Sequence, residues 1–273
     1  MLYAVESVPG ANMTAIIGVL CFCFLFPIIL CVFWKLRTKA NLSSFFIGCG
    51  TFIVFALILE QILHSVVFML TGTLLTDNMW FYALYGGLAA GLFEETGRLL
   101  AMRFLMKKNL NRQNAVLYGI GHGGVEAMLV TGLAYVSNLI MAVTINAGGL
   151  NTILAQVDEN TANTLYAQLS QLWTLSAGDF LLAGVERLSA VTLHIVLSYM
   201  VYRAVRGRKI PWYLAAVGIH FAMDAGTILL LRVCGLSTLA VEGILLAAVA
   251  VMLICMIRAY RRENVDRDKR IVE

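Results

Sequence analysis

Residues 79–106 read MWFYALYGGLAAGLFEETGRLLAMRFLM. The run is long enough to cross a bilayer, which takes roughly 20 apolar residues. Near its middle lies Glu94-Glu95-Thr96-Gly97-Arg98, with two adjacent carboxylates and a guanidinium. Each such charge at the centre of a membrane helix costs roughly 2.5–3.5 kcal/mol on insertion scales. Three in about one helical turn therefore mark a site, and the partners they meet decide what the site does.

The rest of the chain agrees with a membrane setting. Its 273 residues are 60% hydrophobic and 13% charged, with mean hydropathy +0.82. A soluble domain is nearer half apolar and a quarter charged. Apolar segments fall at about 12–34, 42–71, 79–106, 114–146, 179–202, 210–231 and 238–257. The fold expected is an all-α polytopic membrane protein of about seven spans, one integral membrane domain over 1–273. Its core is 79–231, and its one sizeable outer loop is 148–178. The run 114–146 is long enough to tilt or to break near Gly132. The loop carries Ile153, Val157, Leu165, Leu169 and Leu172 at near-helical spacing, which predicts a helix packed on the bundle.

Charge sets the orientation. Sixteen of the 20 Lys and Arg residues follow the first, third, fifth and seventh segments, from Lys35 to Arg270. The positive-inside rule then puts the C-terminus in the cytoplasm and the N-terminus outside. The first residues, Met1 to Thr14, lack Lys and Arg and do not read as a cleavable signal peptide. No basic cluster is interleaved with aromatics in a soluble module, so nucleic-acid binding is not expected. The six cysteines form no Cys-Xaa-Xaa-Cys pair and read as packing residues.

Ionisable residues recur in the later segments, and their depth can be counted. Glu95 is 12 residues from Lys107, His122 is 10 from Arg112, His194 is nine from Arg203, and His220 is 11 from Lys209. At 1.5 Å per residue all four lie roughly 15 Å beneath the cytoplasmic ends. Four helices thus present carboxylate and imidazole at one level. Stripes of small residues would let them approach: Gly86 with Ala90, Gly87 with Gly91, Gly119 with Gly123, and Gly218 with Ala222 and Gly226. Glu94 and Arg98, at i and i+4, are spaced for an ion pair. Glu126 shares a face with His122, Asp224 with His220, and Arg187 with His194. Glu60 and His64 lie nearer the outer face, where a structural hydrogen bond is the simpler reading.

Several chemistries fit such a set. A carboxylate beside His and Arg can activate water. Three histidines, His122, His194 and His220, with a Glu make a zinc set, although His-Glu-Xaa-Xaa-His is absent. Asp, Glu and His chains also mark proton paths in transporters. A buried polar network that only fixes helix register is the remaining alternative. The Gly-Xaa-Ser-Xaa-Gly elbow of serine hydrolases is missing, and Ser176-Ala177-Gly178-Asp179 is a poor match to the aspartyl intramembrane type.

The Glu94–Arg98 motif, Tyr118-Gly119-Ile120-Gly121-His122-Gly123-Gly124-Val125-Glu126-Ala127, Glu186-Arg187 with His194, and His220 with Asp224 together resemble the YhfC family of bacterial membrane proteins. That family looks like a branch of the glutamic-type intramembrane proteases, beside the PrsW, CAAX-processing and abortive-infection types. The resemblance implies a multi-pass cell-membrane endopeptidase in which Glu94 or Glu95 activates water and His194 and His220 complete the site. Arg98, His122, Glu126, Arg187 and Asp224 support it. It implies no cofactor, with zinc as the alternative, and membrane lipid and a transmembrane or membrane-proximal peptide as partners. A non-catalytic scaffold or proton-coupled transporter would use the same cluster. Only Thr96 and Gly97 separate the Glu pair from Arg98, where CAAX-type enzymes have three residues, and Asp224 stands where they carry Asn. Both departures lean away from prenyl-peptide substrates and toward the PrsW type.

Overall fold

In lipid the backbone must satisfy its own polar groups, and long apolar runs do so as helices. The computed structural model describes residues 7–272, with side chains through 263, and every regular element among them is helical. In chain order these are α1 (Gly10–Thr38), α2 (Ser43–Thr71), α3 (Met79–Leu100), α4 (Arg112–Asn146), α5 (Leu150–Leu154), α6 (Glu159–Thr174), α7 (Ala177–Gly207), α8 (Ile210–Val233) and α9 (Thr238–Val272). The protein is a polytopic membrane protein. Of the basic residues counted above, Arg267, Lys269 and Arg270 lie outside the described side chains.

Six described helices, α1, α2, α4, α7, α8 and α9, are long and apolar enough to span a bilayer. The expected count of seven differs from this at α3 alone. That helix has the length, 22 residues, but carries Glu94, Glu95 and Arg98. Asn78 starts it, its Oδ1 accepting from the amides of Trp80 and Phe81 at 3.0 and 3.4 Å.

Four stretches wind more widely, with i→i+5 hydrogen bonds: Ile53–Glu60, Ala101–Leu105, Ala127–Gly132 and Leu229–Val233. Such turns concentrate at functional sites. Here one ends on Glu60, one begins three residues after Arg98, and one begins directly after Glu126. Where the run could tilt or break near Gly132, it instead forms a wide turn inside a continuous helix: the apolar sequence has no water to satisfy a broken backbone.

The chain divides into two compact units. The first is Met1–Phe26 with Ala127–Arg187. Its core gathers Ile16 and Val19 of α1, Tyr135 and Ala142 of α4, Leu150 of α5, and Leu172 and Trp173 of α6. The helix expected in the outer loop is present as α6, and Leu165 and Leu169 pack against that core. Asn12 Nδ2 donates to the carbonyls of Leu172 and Leu175, at 2.9 Å each.

The second unit is Pro27–Glu126 with Leu188–Glu273. Its helices approach until backbones touch. A Cβ on Gly87 would lie 2.8 Å from the Phe221 carbonyl, and one on Gly91 3.0 Å from that of Val217. Gly119 and Gly123 face α7 in the same way, 2.7 Å from Ile195 Cα and 2.9 Å from Val191 Cα. Gly48 and Gly121 let α2 press on α4, where a Cβ would strike the carbonyls of Tyr118 and Phe45. Gly86, Gly218 and Gly226, expected to do the same, have open space. Spacing alone does not say which of two adjacent stripes faces the neighbour.

Gly121→Val is therefore expected to cost about 1–3 kcal/mol through overpacking, read as a lower thermal transition in detergent. Gly218→Ala is expected to melt with the wild type.

Candidate metal centre

Every group expected near the Glu pair except Arg187 lies in the second unit. Glu94, Glu95, Arg98, His122, His194 and His220 are buried. Arg98 and Glu95 have no exposed surface at all.

Glu95 is the hub. Arg98 Nη1 donates to both its oxygens, at 2.5 and 2.6 Å, and His220 Nδ1 lies 2.9 Å from Oε1. The expected Glu94–Arg98 pair is replaced by Glu95–Arg98. Residues three apart share a helix face as those four apart do, and Glu94 is held by His122, whose Nε2 lies 2.8 Å from Oε2.

Arg98 reaches further, with Nη2 at 2.9 Å from His194 Nδ1. A guanidinium only donates, so Nδ1 accepts and Nε2 carries the ring proton. That Nε2 lies 2.6 Å from Glu126 Oε2. The same reasoning gives His220 its proton on Nδ1, facing Glu95. Its Nε2 lies 3.9 Å from Glu94 Oε1 and 3.5 Å from Asp224 Oδ2, so both ring nitrogens face carboxylates.

A continuous chain thus runs His220–Glu95–Arg98–His194–Glu126 through four helices. Asp224, beside His220, is the most open carboxylate of the cluster, its side chain 40% exposed against 15% for Glu126. Arg187 pairs instead with its neighbour Glu186 at 2.5 Å, in the first unit. Glu60 and His64 form a separate group: His64 Nε2 is 3.3 Å from Glu60 Oε1, and Nδ1 is 2.8 Å from the Tyr85 hydroxyl. Spacing gave no sign of Tyr85, because it comes from another helix.

Glu94, His122 and His194 form the group best arranged to hold a metal ion. One donor atom from each lies within 4.8 Å of the others, and all three residues are buried. The donor set, one carboxylate and two imidazoles, is of the kind zinc takes. His122 Nδ1 is buried with no hydrogen-bond partner, so this ring has a nitrogen to spare. The cluster holds four carboxylates, Glu94, Glu95, Glu126 and Asp224, beside one guanidinium and three imidazoles, a setting that favours a divalent cation. The residues fit a metal. They make Glu94 the carboxylate of the expected zinc set and keep two of its histidines, whereas His220 stands beside the group.

The sequence profile of the YhfC family, described as an intramembrane metalloprotease, matches residues 22–246. A protein of Bacillus subtilis (strain 168), described as "Uncharacterized membrane protein YhfC", is 36% identical over 241 residues, 87% of this chain and 92% of that one. No solved structure matches. These findings overturn two expectations: glutamate-activated water as the catalytic chemistry, and the absence of a cofactor. The physical reason is visible in the site. Glu95 is committed to Arg98 and His220, and Glu94 sits among imidazoles as a ligand would.

Arg98→Ala would leave Glu95 buried without its counter-ion. It is expected to destabilise the protein by about 3–5 kcal/mol, read as the shift in unfolding midpoint in mixed micelles. An unchanged midpoint would mean that the pair is not buried as described.

Proposed function

Since the chain belongs to the YhfC family of intramembrane metalloproteases, we propose that Glu94, His122 and His194 hold a divalent cation, zinc by donor type. The reaction is hydrolysis of peptide bonds in membrane-embedded or membrane-proximal segments. The observation that carries this reading is the convergence of those three buried donors within 4.8 Å. When bound, the metal would supply Lewis acidity toward a carbonyl and a water.

The remaining residues orient and move protons. Glu95 fixes the Arg98 guanidinium and, through Nδ1, the ring of His220. Glu126 takes the Nε2 proton of His194 and sets its tautomer, so Nδ1, which accepts from Arg98, would be the nitrogen given to the ion, with Arg98 then resting on Glu95. Such outer partners hold ligands in register. His220 Nε2, between Glu94 and Asp224, can give a proton to a leaving group and be reprotonated by way of the half-exposed Asp224.

The site is read as lying within seven spans, with α3 counted among them, and with the C-terminus in the cytoplasm. Reporter fusions test this: a C-terminal fusion should report the cytoplasm, and a periplasmic signal would contradict the orientation.

Activity is tested with the protein in proteoliposomes and a panel of transmembrane-segment peptides. Wild type is expected to cleave at least one, Glu94→Gln to lose the activity, and Arg98→Lys to fall about 10–100-fold. A zinc chelator should stop cleavage, and added zinc should restore it. Cleavage by Glu94→Gln at the wild-type rate would sink the proposal.

A further inference from the structure

The end of α7, the start of α8 and residues 255–263 of α9 line a cavity of about 570 Å³, within the size range of ligand sites. Five cations line it: Arg203, Arg206, Lys209, Arg258 and Arg262. One carboxylate, Glu263, lines it as well, and it is already engaged. Tyr199 donates to its Oε2 at 3.0 Å and Tyr202 to its Oε1 at 2.7 Å. Among the described residues no carboxylate lies within ion-pair distance of any of the five cations.

The cavity is more than a set of solvated helix ends. Arg203 lies 4.4 Å over the ring of Trp212, which fixes the guanidinium plane and leaves its edge free to donate. A second hollow of about 600 Å³ adjoins it, sharing Tyr202, Arg206 and Glu263 and adding Arg112. Arg112 in turn lies 4.4 Å over the Tyr260 ring and donates to the Tyr260 carbonyl at 2.8 Å. Aromatic side chains beside cations at the ends of spanning helices are the furniture of the headgroup region. Ala259 and Cys255 give the same cavity an apolar wall toward the span.

The geometry points to a binding site for a phosphate-bearing headgroup, and we propose that its occupant is an anionic phospholipid of the surrounding leaflet. Guanidinium groups match phosphate oxygens in pairs, and basic pockets among membrane helices on the cytoplasmic side take such headgroups. The apolar wall favours the lipid over a free phosphate, since it would lie along an acyl chain. None of these residues belongs to the Glu94–His122–His194 group, so the inference stands apart from the proteolytic reading.

The test uses the full chain in nanodiscs of phosphatidylcholine, alone or with phosphatidylglycerol. Native mass spectrometry then counts retained lipid after ejection from the disc. Wild type should retain phosphatidylglycerol over phosphatidylcholine. The double variant Arg206→Gln with Arg258→Gln should retain about tenfold less or lower still. Both proteins should melt alike in phosphatidylcholine discs. Should the double variant melt early, Lys209→Gln alone is read in its place, with a smaller loss expected. Equal retention by wild type and a stably folded variant would overturn the proposal. So would displacement of the lipid by inorganic phosphate at matched concentration, which would assign the cavity to a soluble phosphate.

Discussion

A guanidinium and a carboxylate with no exposed surface, Arg98 and Glu95, sit one turn apart on α3 and bond through both carboxylate oxygens. Desolvating two such charges is expensive, and their attraction repays it only if the remaining donors and acceptors are also satisfied. That condition orders most of the surroundings, with Arg98 Nε left without a partner. His220 of α8 supplies the further donor to Glu95, and His194 of α7 takes the further donor from Arg98. Glu126 of α4 then fixes the far side of His194. The pair thus specifies which helices come together and the rotation at which each presents its face.

Close packing makes the arrangement attainable. Imidazole and carboxylate reach each other across helices only if the backbones nearly touch. The glycines of α3 and α4 permit that against α8 and α7, where a single added methyl would collide. In lipid, where apolar burial offers little drive for helix association, such contact and interhelical hydrogen bonding are the main cohesive forces. The same two features that hold the unit together also place Glu94, His122 and His194 within reach of one ion. Stability and chemistry share one polar cluster.

Much of this was legible in the sequence, and the limits have a physical origin. The rise of 1.5 Å per residue is fixed, so counting from the basic loops brought Glu95, His122, His194 and His220 to one depth. Rotation about each helix axis is not fixed by counting. Hence Arg98 was assigned to Glu94 when it bonds Glu95, and Gly86, Gly218 and Gly226 were placed at interfaces they do not reach. The wide turns, which reset that rotation, leave no mark in hydropathy. The metal reading was harder still. Its donors come from three helices, so no short motif encodes them, and Glu94 could not be told from Glu95 as the ligand. The outer loop was easier, because α6 carries its own apolar period and finds its core within the first unit.

The central claim is that Glu94 and the imidazoles of His122 and His194 bind a metal ion. X-ray absorption at the zinc edge, on protein purified without added metal or chelator, tests it most directly. One zinc per chain is expected, in a shell of nitrogen and oxygen with imidazole scattering and no sulfur, lost in His122→Ala. A metal-free wild type that cleaves its substrate at full rate, or a shell containing sulfur, would contradict it.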